Sequence, residues 1–239
     1  MNKVETMRFL QMLMMTLVLA AWGVRAEVPD YQVFPAKGTQ LLLWVASERG
    51  RAEPEVLAAR KLADQGVEVW SLDLLSAYFL PQLSRSMDAV PPQDVADWLR
   101  SALKGDRRVT VYAVARAAVP VLRAAALLEP AQRKQLGMVL MYPNLYTVAE
   151  ALAAPDYLDL GALNGLRVRV LQPRRSAATP WLSGLVDHLK VYGAKVDPVI
   201  MENLREGYWG RETPTEFEMA ESQRMDGLLM REIKILGRK

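Results

Sequence analysis

The chain has 239 residues, 51% of them apolar, with 30 basic and 27 acidic side chains and a formal net charge of +3. That is ample for one sizeable core, and the length suits a single α/β domain. There is no cysteine, which excludes a disulfide framework, a thiolate metal site and a thiol nucleophile; no Lys/Arg stripe with interleaved aromatics marks a nucleic-acid surface.

Lys3 and Arg8 precede an apolar run over residues 9–22, followed by Val24-Arg25-Ala26. Small residues at −3 and −1 predict a secretory signal peptide, residues 1–26, cleaved after Ala26. The run is short of the roughly 20 residues that cross a bilayer, which sets a retained anchor second. Cleavage removes Lys3, Glu5, Arg8 and Arg25 and brings the net charge to about +1. The expected mature chain is one domain, residues 27–239, periplasmic or secreted, with no stable membrane span.

Residues 31–34 are expected as a short edge strand. Residues 39–46, T-Q-L-L-L-W-V-A, form a continuous apolar run, the mark of a strand buried on both faces. After a polar loop, Pro54 suits a first helical turn, and Val56, Leu57, Arg60 and Leu62 carry a helical period that Gly66 ends. Residues 67–72 predict the next strand. Residues 74–90 have no clean period and read as an excursion over the sheet edge. Pro91 and Pro92 open a helix with Val95, Trp98, Leu99 and Leu103 on one face. A strand at 108–112 leads to a helix at 117–129, with Pro120 harmless in its first turn. Residues 136–142 predict a strand. Residues 143–166 are irregular with one short helix at 148–153, a small lid at most. Then come a strand at 166–171, a helix at 179–191, a strand at 194–201 and one long closing helix at 214–235.

This alternation predicts an α/β fold, a three-layer, doubly wound, mostly parallel sheet of about six to seven strands with helices on both faces. Periodicity alone also fits a flavodoxin-like or Rossmann sheet. No G-x-G-x-x-G and no P-loop is present, so no phosphate cradle and no cofactor are expected.

One stretch is more specific. Residues 109–128 read V-T-V-Y-A-V-A-R-A-A-V-P-V-L-R-A-A-A-L-L: a short buried strand, a run of small residues, then an Ala- and Leu-rich helix. This layout resembles the nucleophile elbow of the α/β-hydrolase superfamily, which reads G-x-S-x-G. Here the aligned residues are Ala113, Val114, Ala115, Arg116 and Ala117. The resemblance runs from about residue 39 to the C-terminus. A second likeness, carried by Gly66-Val67-Glu68-Val69-Trp70-Ser71-Leu72-Asp73 and the following residues to Phe79, and by the helix at 92–103, is to the VirJ-type periplasmic branch.

The resemblance implies a triad in the order Ser, Asp/Glu, His. Ala115 stands at the serine position without an oxygen. The loop expected to carry the acid, residues 172–178, has no carboxylate. The loop expected to carry the histidine, Glu206-Gly207-Tyr208-Trp209-Gly210, has no histidine. Serine hydrolysis needs nucleophile, base and orienting acid together. The expectation is therefore a pseudoenzyme: an exported, non-catalytic α/β-hydrolase-like protein acting as a binding or assembly partner. The alternative is an esterase- or peptidase-type hydrolase with a relocated site, using Ser47 or a carboxylate-activated water.

Other candidates are weaker. His188, the single histidine, flanks the apolar face of its helix, which suits a partly exposed helix residue better than a catalytic base; with no cysteine, zinc and copper are not expected. Ser84 and Ser86 have no visible base, and Asp73 suits a turn cap. Several of Trp44, Tyr78, Tyr142, Tyr146, Trp181, Tyr208 and Trp209 fall at or just beyond strand C-termini, where open α/β sheets bind ligands. Arg116 adjoins Ala115, Arg174 and Arg175 lie in the acid loop, and Arg211 lies in the histidine loop. A ligand site built from Arg116, Trp44, Tyr142, Arg174, Trp209 and Arg211 would suit a small anion or carboxylate. Beside it stands the plainer reading, packed aromatics and solvated arginines.

Overall fold

The computed structural model describes residues 31–147 and 154–238. The expected signal peptide and the short helix at 148–153 lie outside the described residues. Seven strands form one sheet in the order β1-β3-β2-β4-β5-β6-β7. They are β1 (Gln32–Phe34), β2 (Gln40–Val45), β3 (Val67–Leu72), β4 (Arg108–Val114), β5 (Leu136–Met141), β6 (Arg167–Pro173) and β7 (Lys195–Met201). β1 is antiparallel to β3 and all other pairs are parallel. Every expected strand is present within a residue or two at its ends.

The central strands are apolar because both faces are covered. Along β2, Leu41, Leu43 and Val45 face one core and Leu42 and Trp44 the other. The first core is closed by α3 (Pro92–Leu103), α4 (Ala118–Ala126) and α6 (Leu182–Val191). The second is closed by α1 (Glu53–Asp64) and α8 (Met225–Gly237).

Three expectations need correction. First, the closing helix is two: α7 (Glu216–Gln223) and α8, separated at Arg224, whose φ of −104° and ψ of 14° leave the helical region. Second, the buried stripe of α1 is Glu55, Ala58, Ala59 and Leu62, a helical i, i+3, i+4, i+7 set. Leu57, expected on that face, is 48% exposed. Third, residues 74–90 carry a short helix α2 (Leu74–Ala77), capped by Asp73 accepting from the Ser76 amide at 3.1 Å, and a 3₁₀ segment at Ser84–Ala89. A further short helix, α5 (Pro130–Gln135), was not anticipated after α4.

Candidate functional site

β4 ends at Val114, and the chain turns through Ala115 into a 3₁₀ turn, Ala115–Ala117, and then α4. Ala115 has φ +51°. A non-glycine residue in the left-handed region is strained, so it persists only where its surroundings hold it there. Here the Ala115 carbonyl accepts from the Asn144 amide at 3.1 Å. The small residues around it, Ala113, Ala117 and Ala118, are fully buried. This is the strained strand-to-helix bend the sequence predicts, with a methyl group at its apex. A second strained residue, Tyr142 at φ +35°, follows β5, its amide held by the Leu171 carbonyl at 2.8 Å.

An open cavity of about 820 Å³ lies over this bend. Its walls are loops at the C-terminal ends of the strands: Ser47–Ala52 after β2, Ala115 after β4, Tyr142–Asn144 and Tyr146 after β5, Ala177 and Ala178 after β6, and Glu206–Thr213 after β7. This is where open parallel sheets place ligands. Gly207, at φ +60°, starts the 3₁₀ turn Tyr208–Gly210, which sets Trp209 against Tyr142 with ring centroids 5.9 Å apart. Tyr208 packs edge-on beneath Trp209 at 4.9 Å and is itself buried.

Acidic groups dominate the charge of the walls. Glu48, Glu55, Glu206 and Glu212 line the cavity, against Arg49 and Arg211. Glu55 is 3% exposed. Its Oε2 accepts from the Ala52 amide at 2.8 Å, closing the first turn of α1, while its Oε1 has no hydrogen-bond partner. Burial raises its pKa from 4.5 to about 7, against the opposing pull of the Ala52 amide, the Trp44 indole and Arg51; Asp73 adds to the rise. The Tyr112 and Tyr142 hydroxyls feel the same carboxylate and, chiefly by burial, are held protonated well above the ordinary phenol range. Trp44 Nε1, Tyr112 OH and Tyr208 OH are buried beside this site without partners. In the loop pair that would carry acid and histidine, Ser176 Oγ donates to Glu206 Oε1 and accepts from the Ala178 amide at 3.0 Å.

The six residues expected to form a ligand site are only partly brought together. Tyr142, Trp209 and Arg211 line the cavity, with Arg211 Nη1 donating to the Glu206 carbonyl at 3.2 Å. Trp44 is 1% exposed and packs edge-on against Tyr112 within the core. Arg116 turns away from the bend. Its guanidinium is bidentate to Asp88 at 2.8 and 2.6 Å and also donates to the Tyr146 and Asn144 carbonyls. It pins the bend to the 3₁₀ segment at Ser84–Ala89 and does not line the cavity. Arg174 is exposed and forks onto Glu202 at 3.1 and 2.7 Å. The arginine cluster therefore shrinks to Arg211, joined by Arg49.

Ser47 lines the cavity, but its Oγ accepts from the Arg49 amide and meets no carboxylate or imidazole among the described residues. Ser84 and Ser86 lie in the 3₁₀ segment away from the walls. His188 stacks on Tyr157 at 4.7 Å, its Nε2 lies 2.9 Å from the Leu158 carbonyl, and it does not line the cavity. Reading the sequence missed Glu55, Glu48 and Glu206. For Glu55 a signal existed: it heads the buried stripe completed by Ala58, Ala59 and Leu62.

The seven-stranded, mostly parallel sheet, its covering helices and the strained bend after the central strand define an α/β-hydrolase fold. Solved structures agree. The chain is similar to an esterase of Pyrobaculum calidifontis, with a TM-score of 0.61 and 14% identity over 99% of this chain and 94% of that one. It is similar to a protein of Klebsiella pneumoniae subsp. pneumoniae described as a dienelactone hydrolase, with a TM-score of 0.58 and 16% identity over 85% and 93% of the two chains. A third is Est1E of Butyrivibrio proteoclasticus, solved with ferulic acid bound, with a TM-score of 0.55 and 12% identity over 86% and 95%. No protein-family model and no curated protein matches the sequence.

Proposed function

We propose that this protein binds a small molecule in the cavity over Ala115 and does not hydrolyse it by a serine mechanism. The observation that carries the reading is Ala115 itself: the bend keeps the left-handed strain of a nucleophile position, φ +51°, and presents no oxygen. Nucleophilic catalysis needs a nucleophile with a base in hydrogen-bond reach, and Ser47 has none. A cavity of about 820 Å³ falls in the size range of small-molecule sites, roughly 300–1,000 Å³. We place the protein outside the cytoplasm on the strength of residues 1–26, as a binding or assembly partner of a second protein. N-terminal sequencing of the exported chain should begin at Glu27.

Purified protein should turn over no member of an ester and peptide panel above background. Turnover that survives purification and disappears on a single substitution in the cavity would overturn this reading.

One observation favours a second reading, a hydrolase with a relocated site. A carboxyl group with a pKa of about 7 beside a cavity is suited to general-base work, since a catalytic pKa near the operating pH is the efficient one. The structural neighbours named as esterase and hydrolase support it too. Glu55 would take a proton from water as the water oxygen adds to the scissile carbonyl, and would return it to the leaving oxygen or nitrogen as the carbonyl re-forms and that bond breaks. Under this reading, Glu55→Gln abolishes turnover without loss of stability.

A further inference from the structure

We infer that the cavity over Ala115 recognises an organic cation, an alkylammonium or guanidinium group, with Glu55 as its counter-ion and Tyr142 and Trp209 as its aromatic wall. This inference rests on the reading that the cavity is a binding site and names the ligand class.

Three observations carry it. First, the walls hold four carboxylates, Glu48, Glu55, Glu206 and Glu212, against two guanidinium groups, Arg49 and Arg211. Arg211 is already engaged by the Glu206 carbonyl. Second, two carboxylate oxygens at the cavity are unpartnered. Glu55 is 97% buried, its Oε1 makes no well-formed hydrogen bond and has only the Trp44 indole N–H acting on it from within the chain, and Glu48 Oε2 meets no donor. A buried charged acceptor with too few donors is costly, so these under-supplied oxygens leave room for a donor from outside the chain. Third, Tyr142, Trp209 and Tyr146 present aromatic rings to the same space. An aromatic face with a nearby carboxylate attracts ammonium and guanidinium groups.

The carboxylates are spread around the walls. Among the described residues no three acidic or histidine side chains converge as metal ligands would. That distribution fits an extended cation that meets one carboxylate at its head and another further along.

The groups facing Glu55 fix the pH behaviour. Arg51 favours its charged form and Asp73 disfavours it; the Ala52 amide and the Trp44 indole favour it, while the Tyr112 and Tyr142 hydroxyls stay protonated. A cation binds the carboxylate and not the acid. Binding therefore strengthens as pH rises through about 7 and displaces a proton from Glu55 near neutrality.

The test uses the purified protein with agmatine, propylammonium and tetramethylammonium, and with benzoate and ferulate as anionic counterparts. Thermal shift and calorimetry are run at pH 5.5 and pH 8.5. The expected result is a raised melting temperature with the amines at pH 8.5, little shift at pH 5.5, and none with the anions. Calorimetry at pH 7 in buffers of different ionisation enthalpy should show proton release. Glu55→Gln keeps the acceptor for the Ala52 amide and the side-chain volume, so it should fold; it should weaken amine binding on the order of tenfold or more and abolish the proton release. Glu48→Gln should weaken binding less.

Stabilisation by benzoate or ferulate and not by the amines, lost in Arg211→Ala, would overturn the cation assignment while leaving the cavity a binding site. Amine binding unchanged in Glu55→Gln would overturn the role of Glu55. Ester turnover by the wild type that Glu55→Gln abolishes, with no amine binding, would overturn both this inference and the reading beneath it.

Discussion

Glu55 and Glu218 are the same residue type, each in the first turn of a helix and each shut away from solvent at 3% and 0% exposure, yet their carboxyl groups are driven in opposite directions. Glu218, on α7, accepts from Arg205 Nε at 2.7 Å, from Arg205 Nη2, and from the Arg205 and Thr215 amides at 3.2 and 2.9 Å. These donors, the Arg205 side chain first, hold its pKa down at about 2. Glu55 has one backbone amide and the Trp44 indole against its desolvation, and burial takes it up to about 7. The lesson is that burial alone does not decide the charge of a carboxyl group; the number of donors aimed at it does. One glutamate is finished by its own chain. The other is left open beside a cavity.

The contrast can be tested by mutation. The largest effect belongs to the finished site. Arg205→Ala leaves Glu218 without its cation and should lower the urea midpoint more than any other change considered, by less than a fully buried pair would because Arg205 is partly open to water. Because the folded-state pKa of Glu218 lies below its ordinary 4.5, that stability is present above about pH 4.5 and is lost as pH falls towards 2. The variant should therefore show a flatter acid limb than the wild type.

Glu55→Gln should act in the opposite sense. The raised pKa means that Glu55 favours folding below pH 4.5 and loses that contribution as pH rises through about 7. Above pH 8 the wild type carries a buried anion at a cost of about 3 kcal/mol, one pKa unit being about 1.4 kcal/mol. The variant should be more stable than the wild type by about that amount at pH 8.5 and equal to it below pH 4.5. A variant that is less stable at every pH would mean that the Glu55 carboxylate already has its donors.

Next comes Arg116→Lys. A single ammonium cannot fork onto Asp88 and also reach the Asn144 and Tyr146 carbonyls, so a loss of about 2 kcal/mol is expected, roughly that of hydrogen bonds to a charged group left unmade. No loss would reopen Arg116 as a ligand residue. The smallest effect is at the bend. Ala115→Gly removes the Cβ penalty of the left-handed conformation and should raise stability by about 1 kcal/mol, read as a rise in melting temperature.

The frame was legible because it is written locally. The run at Gln40–Val45 and the run at Leu136–Met141 are apolar throughout, and only a strand covered on both faces needs that. The bend was legible because small residues must flank a tight strand-to-helix turn. The site was less so, because its chemistry is decided by partners far apart in sequence. Arg116 meets Asp88, 28 residues earlier, and Arg174 meets Glu202, 28 residues later; from sequence both read as cations free for a ligand. Glu55 was hidden differently. In sequence the period of α1 reads as Val56, Leu57, Arg60 and Leu62, and a glutamate in a helix's first turn reads as an exposed end charge, not as the head of the buried stripe.

The break at Arg224 sets apart two jobs within the last stretch of chain. α8 seals the underside of the sheet with Leu229, Ile233 and Leu236, while α7 packs on the turn that carries Trp209 and, through Glu218, grips Arg205 just ahead of it. The rim of the opening is thus tethered from the far end of the polypeptide by a joint that the foundation does not share.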